Sequence, residues 1–187
     1  MRKFKLVLML IVAMTVSTFA QKKEVNIEKS VVAWTGKKIG GAHNGQIQLK
    51  SGYFIFNNDQ IKGGKVVIDM NSMTNLDLED AGYRAKLIGH LKSDDFFGVE
   101  KYPTAIFELS KASKFENGKA SVEGMITIKG KSEILNFDLV KNGNEFTGQL
   151  KVDRSKFDVR YGSNSFFDNL GDKAIEDIFI LDVKLTI

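Results

Sequence analysis

The 187-residue chain has no cysteine, a single proline (Pro103) and only two histidines, His43 and His90. Without cysteine, the chain has no disulfide, zinc–thiolate site, cysteine nucleophile or lipidated N-terminal cysteine, so its stability must come from the hydrophobic core. A metal site would have to combine the two histidines with carboxylates from across the fold. We therefore predict neither a metal nor a cofactor.

A large excess of one charge is also missing. The chain has 27 basic and 23 acidic residues, but three of the basic residues lie within the first twenty positions, where there is no acid. The remainder carries 24 basic and 23 acidic residues, which are interspersed rather than massed in a stripe. This pattern excludes the basic surface expected of a nucleic-acid-binding protein.

The first twenty residues have a basic start, an apolar run over 6–16, and the small residues Thr18 and Ala20 before Gln21. This pattern predicts a signal peptide over 1–20 that is cleaved after Ala20. The apolar run is shorter than the ~20 residues that a bilayer-spanning helix requires. We expect a soluble periplasmic or secreted product in which residues 21–187 form one domain.

The rest of the chain alternates apolar and polar residues with period two, as half-buried strands do. Asn117-Gly118 and Asn142-Gly143 predict tight hairpins between such runs. Only residues 76–91 break the alternation, and their spacing predicts one or two helical turns. About eight strands with one helical insertion predict an all-β antiparallel sheet that closes into a barrel.

The alternation also predicts which side chains face the barrel interior. In the C-terminal run AIEDIFILDVKLTI and in KASVEGMITIK, the apolar face is unambiguous. Across the predicted strands, the inward residues are Val32, Trp34, Phe54, Phe56, Val66, Ile68, Met70, Ala105, Phe107, Leu109, Ala120, Val122, Gly124, Ile126, Ile128, Leu135, Phe137, Leu139, Phe146, Leu150, Val152, Phe179, Leu181, Val183, Leu185 and Ile187.

The stretch HLKSDDFFGVEKYPTAIFEL, residues 90–109, has two readings. Asp94 and Asp95 could be a paired general acid and base, but adjacent residues seldom face the same point. We favour a structural role, in which Ser93 or the two aspartates offer side-chain oxygens to backbone N–H groups near the helix end. Phe96 and Phe97 would then enter the barrel, and Pro103 would start the next strand.

Five stretches together resemble the YceI-like family of exported, lipocalin-like proteins. They are AWTGKKIGGAHNG, GGKVVIDMNSM, HLKSDDFFGVEKYPTAIFEL, VDRSKFDVRYGSNSFFD and the alternating C-terminal strand. The resemblance covers nearly all of 25–187, and its most specific blocks are LKSDDFF...YPTAIFE and DRSKFDVRYGS. Asp158 departs from the pattern, because many relatives have glycine there, so the local bend is expected to differ.

The resemblance implies an extended eight-stranded antiparallel lipocalin-like barrel with one short helix, whose apolar cavity holds the chain of a polyisoprenoid or quinone-like lipid. Combined with the inward faces, it makes His43, Arg160 and Tyr161 candidates for a polar mouth. The candidate residues of the apolar cavity are Trp34, Phe54, Phe56, Ile68, Phe96, Phe107, Ile126, Phe137, Phe146 and Phe179.

Two arginines flank Phe157 in the most specific block. A guanidinium donates in a planar fork, so Arg154 or Arg160 could meet a phosphate or quinone oxygen of a lipid head. We favour the alternative for both, which is an ion pair on the barrel wall with Asp153, Asp158 or Asp168.

Three hypotheses follow for the whole chain. The first is a lipid-binding carrier without catalytic activity, either a monomer or a dimer. The second is an enzyme-like lipid hydrolase that uses Asp94, Asp95, His43 or Arg160, although no complete set of nucleophile, base and orienting residue is evident. The third is a solid structural barrel without a ligand. We favour the carrier.

Overall fold

A computed structural model describes residues 20–187 of the chain, so the predicted signal peptide lies outside the described residues except for Ala20. The described part contains one α-helix, α1 (Ala81–Lys92), and nine strands. The strands are β1 (Gln21–Glu24), β2 (Val31–Lys38), β3 (Gly41–Asn57), β4 (Gln60–Asp69), β5 (Thr104–Ala112), β6 (Lys119–Ile128), β7 (Lys131–Asn142), β8 (Glu145–Asp153) and β9 (Ile178–Thr186).

Strands β2 to β9 form a closed antiparallel barrel, in which each strand pairs with the next one in the chain and β9 pairs with β2. The pairing of β2 with β9, which closes the barrel, runs from Val31 opposite Lys184 to Thr35 opposite Ile180. The short β1 pairs with the second half of the 17-residue β3, and it thereby continues the position of β2 in the sheet. The predicted all-β, eight-stranded antiparallel barrel with one helical insertion is confirmed.

The barrel has one incomplete seam, between β7 and β8. These strands pair only from Leu139 opposite Gly148 to Asn142 opposite Glu145. Beyond that point they diverge, and a 3-10 turn that starts at Arg154 packs against β7. Phe157, the last residue of this turn, and Val159, two residues later, are both buried, so apolar packing replaces the missing strand pairing.

Helix α1 begins where the Asp80 side chain accepts a hydrogen bond from the Tyr83 N–H at 2.8 Å. Its 12 residues make about three turns, so it is longer than predicted and starts later than residue 76. None of its residues is fully buried, because the helix lies across one end of the barrel rather than inside it. Among residues 20–187, no helix is both long enough and apolar enough to cross a membrane.

The other end of the barrel is filled by aromatic rings. The ring of the fully buried Phe146 lies 5.4 Å from that of Phe54, 6.2 Å from Phe56 and 6.1 Å from Phe115. The apolar alternation therefore produces a solid core at this end.

Substitution of Phe146 by alanine tests this solid core. Because Phe146 is fully buried among other rings, Phe146→Ala should lower the free energy of unfolding by roughly 3–5 kcal/mol in urea titrations. The control Tyr83→Ala removes a ring that is 65% exposed and should have little effect. An unchanged urea midpoint for Phe146→Ala would contradict a close-packed end.

Candidate functional site

An apolar cavity of about 150 Å³ lies between α1 and the barrel. Strands β2 to β6 and β9 each contribute inward side chains to its wall, and Leu87 and Leu91 of α1 cover it. The apolar residues on its wall are Trp34, Ile47, Ile68, Met70, Met73, Leu87, Leu91, Phe96, Phe97, Ala105, Ile126, Ile128, Ile175, Phe179 and Leu181. Its surface is therefore suited to a hydrocarbon chain.

The structure divides the ten predicted cavity residues into two groups. Five of them line the cavity: Trp34, Ile68, Phe96, Ile126 and Phe179. The other five do not, since Phe54, Phe56 and Phe146 belong to the solid end, and Phe107 and Phe137 pack against each other at 5.6 Å. Alternation identifies the inner face correctly, but it does not distinguish the open half of the barrel from the filled half.

The three residues predicted to form a polar mouth do not lie together in the structure. His43 lines the apolar cavity, whereas Arg160 and Tyr161 line a neighbouring groove that contains several charged residues. The Tyr161 ring packs edge-on against the His90 ring at 4.3 Å, and His90 lines the cavity. His90 and Tyr161 thus form a wall between cavity and groove.

His43 is held by a carboxylate that the sequence pattern did not reveal. Its Nδ1 lies 2.7 Å from Asp77 Oδ2, and Asp77 Oδ1 accepts hydrogen bonds from the Asn44 N–H and from the side chain of the buried Asn75. The segment that carries Asp77 packs directly on β3, where a β-carbon at Gly45 would overlap the Thr74 carbonyl oxygen. Glycine at position 45 is therefore required for Asp77 to reach His43.

These contacts set the charge state of Asp77. Burial raises the pKa of the Asp77 carboxyl, but hydrogen bonds from Asn44, His43 and Asn75 outweigh that effect and hold the pKa below its ordinary value of 3.8. Asp77 is therefore ionised at neutral pH.

Arg154 is the buried charge of the site, with only 2% of its surface exposed. Its guanidinium donates to four backbone carbonyls, those of Val159, Tyr161, Ile175 and Glu176, at 2.8–3.1 Å. Its Nη2 also lies 3.3 Å from Asp177. Burial lowers the pKa of the Arg154 guanidinium, although Asp177 and Asp153 oppose this, and an arginine stays charged in proteins.

The prediction for Arg154 is corrected in its main feature. Arg154 pairs with Asp177, not with Asp153, Asp158 or Asp168, and most of its hydrogen bonds go to carbonyls that no sequence pattern shows. Arg160 does form the predicted ion pair, with Asp158 at 2.6 Å. Asp158 has a left-handed backbone with φ of 59°, a conformation that glycine adopts without strain and aspartate tolerates.

The prediction for the helix end is wrong in its capping groups. The Ser93 hydroxyl donates to the His90 carbonyl instead of accepting from an N–H, and Asp94 pairs with Lys101 at 2.7 Å on the surface. Phe96 and Phe97 do reach the cavity, and Pro103 precedes β5 as predicted.

No group of three or more potential metal-ligating side chains occurs within residues 20–187. In the same residues, no hydroxyl forms a hydrogen bond with His43, so its pair with Asp77 has no nucleophile beside it.

Comparison with known proteins gives consistent matches over the barrel. A profile of the YceI-like domain matches residues 24–187. A UPF0312 protein of Vibrio campbellii is 31% identical over 135 residues, which cover 66% of this chain and 69% of that protein. The crystal structure of BcnA from Burkholderia cenocepacia matches with a TM-score of 0.64 and 26% identity, covering 87% of this chain and 99% of BcnA. A Campylobacter jejuni YCEI protein has a TM-score of 0.50 and 25% identity, with 67% and 71% covered.

Arg154→Met should be strongly destabilising, because it leaves Asp177 without its cation and four carbonyls without their donor. We expect the free energy of unfolding to fall by roughly 3–5 kcal/mol in denaturant titrations. The matched control is Arg160→Met, which removes an exposed ion pair and should leave stability nearly unchanged. Equal effects of the two variants would contradict the role assigned to Arg154.

Asp77→Asn should destabilise the protein in a pH-dependent way. Because the folded-state pKa of Asp77 is lowered, its stabilisation is fully present above the unfolded-state pKa and disappears as pH falls through the folded-state value. The difference in melting temperature between wild type and Asp77→Asn should therefore be largest near neutral pH and shrink below about pH 4. Glu79→Gln, which neutralises an exposed carboxylate nearby, is the control. A difference that stays constant with pH would refute the prediction.

Proposed function

The chain belongs to the YceI-like family, and from that membership we propose that it is an exported protein that holds the chain of a polyisoprenoid or isoprenoid quinone in the cavity beneath α1. The proposal concerns binding without catalysis. Export rests on the predicted signal peptide over 1–20 and would deliver the carrier to the periplasm or the exterior.

The apolar wall of the cavity is the observation that carries this proposal. Rings from Trp34, Phe96, Phe97 and Phe179 and aliphatic groups from the strands surround it. Burial of each methylene contributes ~0.8 kcal/mol, so a few isoprene units supply useful affinity without any polar contact. A hydrocarbon chain therefore fits the chemistry of this wall better than a polar metabolite does.

The cavity is too small to hold a long isoprenoid chain in its present form. An apolar void of about 150 Å³ holds roughly one ring-sized molecule. The cover is suited to movement, since α1 has no fully buried residue and contributes only part of the wall. We propose that α1 and the Phe96–Phe97 pair move apart when the lipid enters.

A lipid hydrolase is the weaker candidate. Its residues do not converge: Asp94 lies on the surface with Lys101, Arg160 is paired with Asp158 outside the cavity, and His43 is paired with Asp77. A structural barrel without a ligand accounts for the solid end around Phe146, but not for the cavity at the other end.

Gly36→Leu tests the proposed function by filling the cavity. Gly36 lines the cavity, and a β-carbon there would meet no atom within 4 Å, so the leucine should occupy lipid space without disturbing the barrel. Wild type should release lipid on organic extraction, as detected by mass spectrometry. A short-chain quinone should quench the fluorescence of Trp34, the single tryptophan of the chain. Gly36→Leu should lose both signals.

The control is Gly89→Leu, at an exposed position of α1 where a β-carbon also meets no atom within 4 Å. This variant should keep both signals. Absence of extracted lipid and of Trp34 quenching in the wild type would exclude the carrier and favour a structural barrel.

A further inference from the structure

The position of His43 on β3 places its ring at the mouth of the cavity, facing inward. His43 lies opposite Gly36 in the pairing of β2 with β3, and both residues line the cavity. Because Gly36 has no side chain, the space across from the imidazole is open. Trp34 is on the same face of β2, so a ligand head beside His43 would continue directly into the apolar wall.

The partners of Asp77 determine which nitrogen of His43 carries a proton. Asp77 Oδ1 already accepts two hydrogen bonds, from the Asn44 N–H at 2.8 Å and from Asn75 Nδ2 at 2.6 Å. Its Oδ2 faces His43 Nδ1, and an ionised carboxylate only accepts hydrogen bonds. Nδ1 of His43 must therefore be the donor, so Nε2 of a neutral ring has a free lone pair.

Other polar groups around the cavity do not satisfy that lone pair. No hydrogen bond to Nε2 of His43 is formed by any residue within 20–187. All the donors of Arg154 are directed at carbonyls and Asp177, while Lys37 and Lys38 are exposed, so their ammonium groups remain hydrated. In the neutral ring, Nε2 is thus an available acceptor at the edge of an apolar space.

We infer that His43 selects lipids whose head carries a hydroxyl group, and that the cavity therefore prefers the reduced quinol form of an isoprenoid quinone to the oxidised form. A quinol hydroxyl donates to Nε2. A quinone has only carbonyl acceptors at its head, so it leaves the lone pair of Nε2 unpaired and loses its own hydrogen bonds to water. This inference rests on the proposed function and specifies the head group that the site recognises.

The test compares the two redox forms of one short-chain quinone by anaerobic calorimetric titration of the full exported protein after delipidation. One well-formed hydrogen bond at a partly exposed site corresponds to a preference of about two- to tenfold for the quinol in wild type. Equal affinities, or tighter binding of the quinone, would overturn the inference while the proposed function stands. Binding of neither form to wild type would overturn both.

Asp77→Asn gives the most specific outcome. Its amide oxygen can keep the hydrogen bonds from Asn44 and Asn75, which turns its NH₂ group towards His43 Nδ1. The proton of the neutral ring then moves to Nε2, which becomes a donor, so the preference should invert in favour of the quinone. Glu79→Gln should retain the wild-type preference.

A second variant covers the case in which Asp77→Asn does not fold. His43→Phe preserves a ring at the mouth but removes both nitrogens, so quinol and quinone should bind equally well. Nitrogen NMR of the imidazoles gives an independent reading, since only two histidines are present. It should show a protonated Nδ1 and an unprotonated Nε2 for His43, and the opposite tautomer would overturn the inference.

Discussion

The mouth of the barrel depends on the hydrogen bonds and the ion pair that the guanidinium of Arg154 forms. Residues 154–177 contain little regular structure, and Arg154 joins their beginning to their end through the carbonyls of Val159, Tyr161, Ile175 and Glu176. Ile175 and Glu176 lie on the cavity wall, and Val159 is completely buried. One buried cation thus holds together a long irregular segment at the cavity end, and its burial is tolerated because its donors are matched.

The barrel and its inner face could be predicted from the sequence because alternation is a local property of each strand. The division of the interior could not be predicted, since Phe146 and Phe179 fit the same pattern but lie at opposite ends of the barrel. The ion pair of Arg154 with Asp177 could not be predicted either, because Asp177 is distant in sequence and a backbone carbonyl that accepts a hydrogen bond has no signature in the sequence. The pair of His43 and Asp77 was missed for the same reason, as only the fold brings them together.

The two halves of the barrel have different roles, because one half is closely packed and the other contains the cavity. The packed rings around Phe146 stabilise the fold without any contribution from a ligand. The half beneath α1 is covered more loosely, because no residue of that helix is fully buried. Such a division allows a small domain without disulfides to maintain an apolar cavity.

Closure between β2 and β9 also sets the order of assembly during synthesis. The two strands lie near opposite ends of the described chain, so the pairing that completes the barrel has a large sequence separation and forms slowly. Until β9 is present, β2 and β8 each expose an unpaired edge, which can join to the edges of other chains. A chain that emerges from its N-terminus therefore stays vulnerable to aggregation until β9 is available. Loss of β9 leaves two open edges, whereas loss of β1 leaves the closed barrel intact.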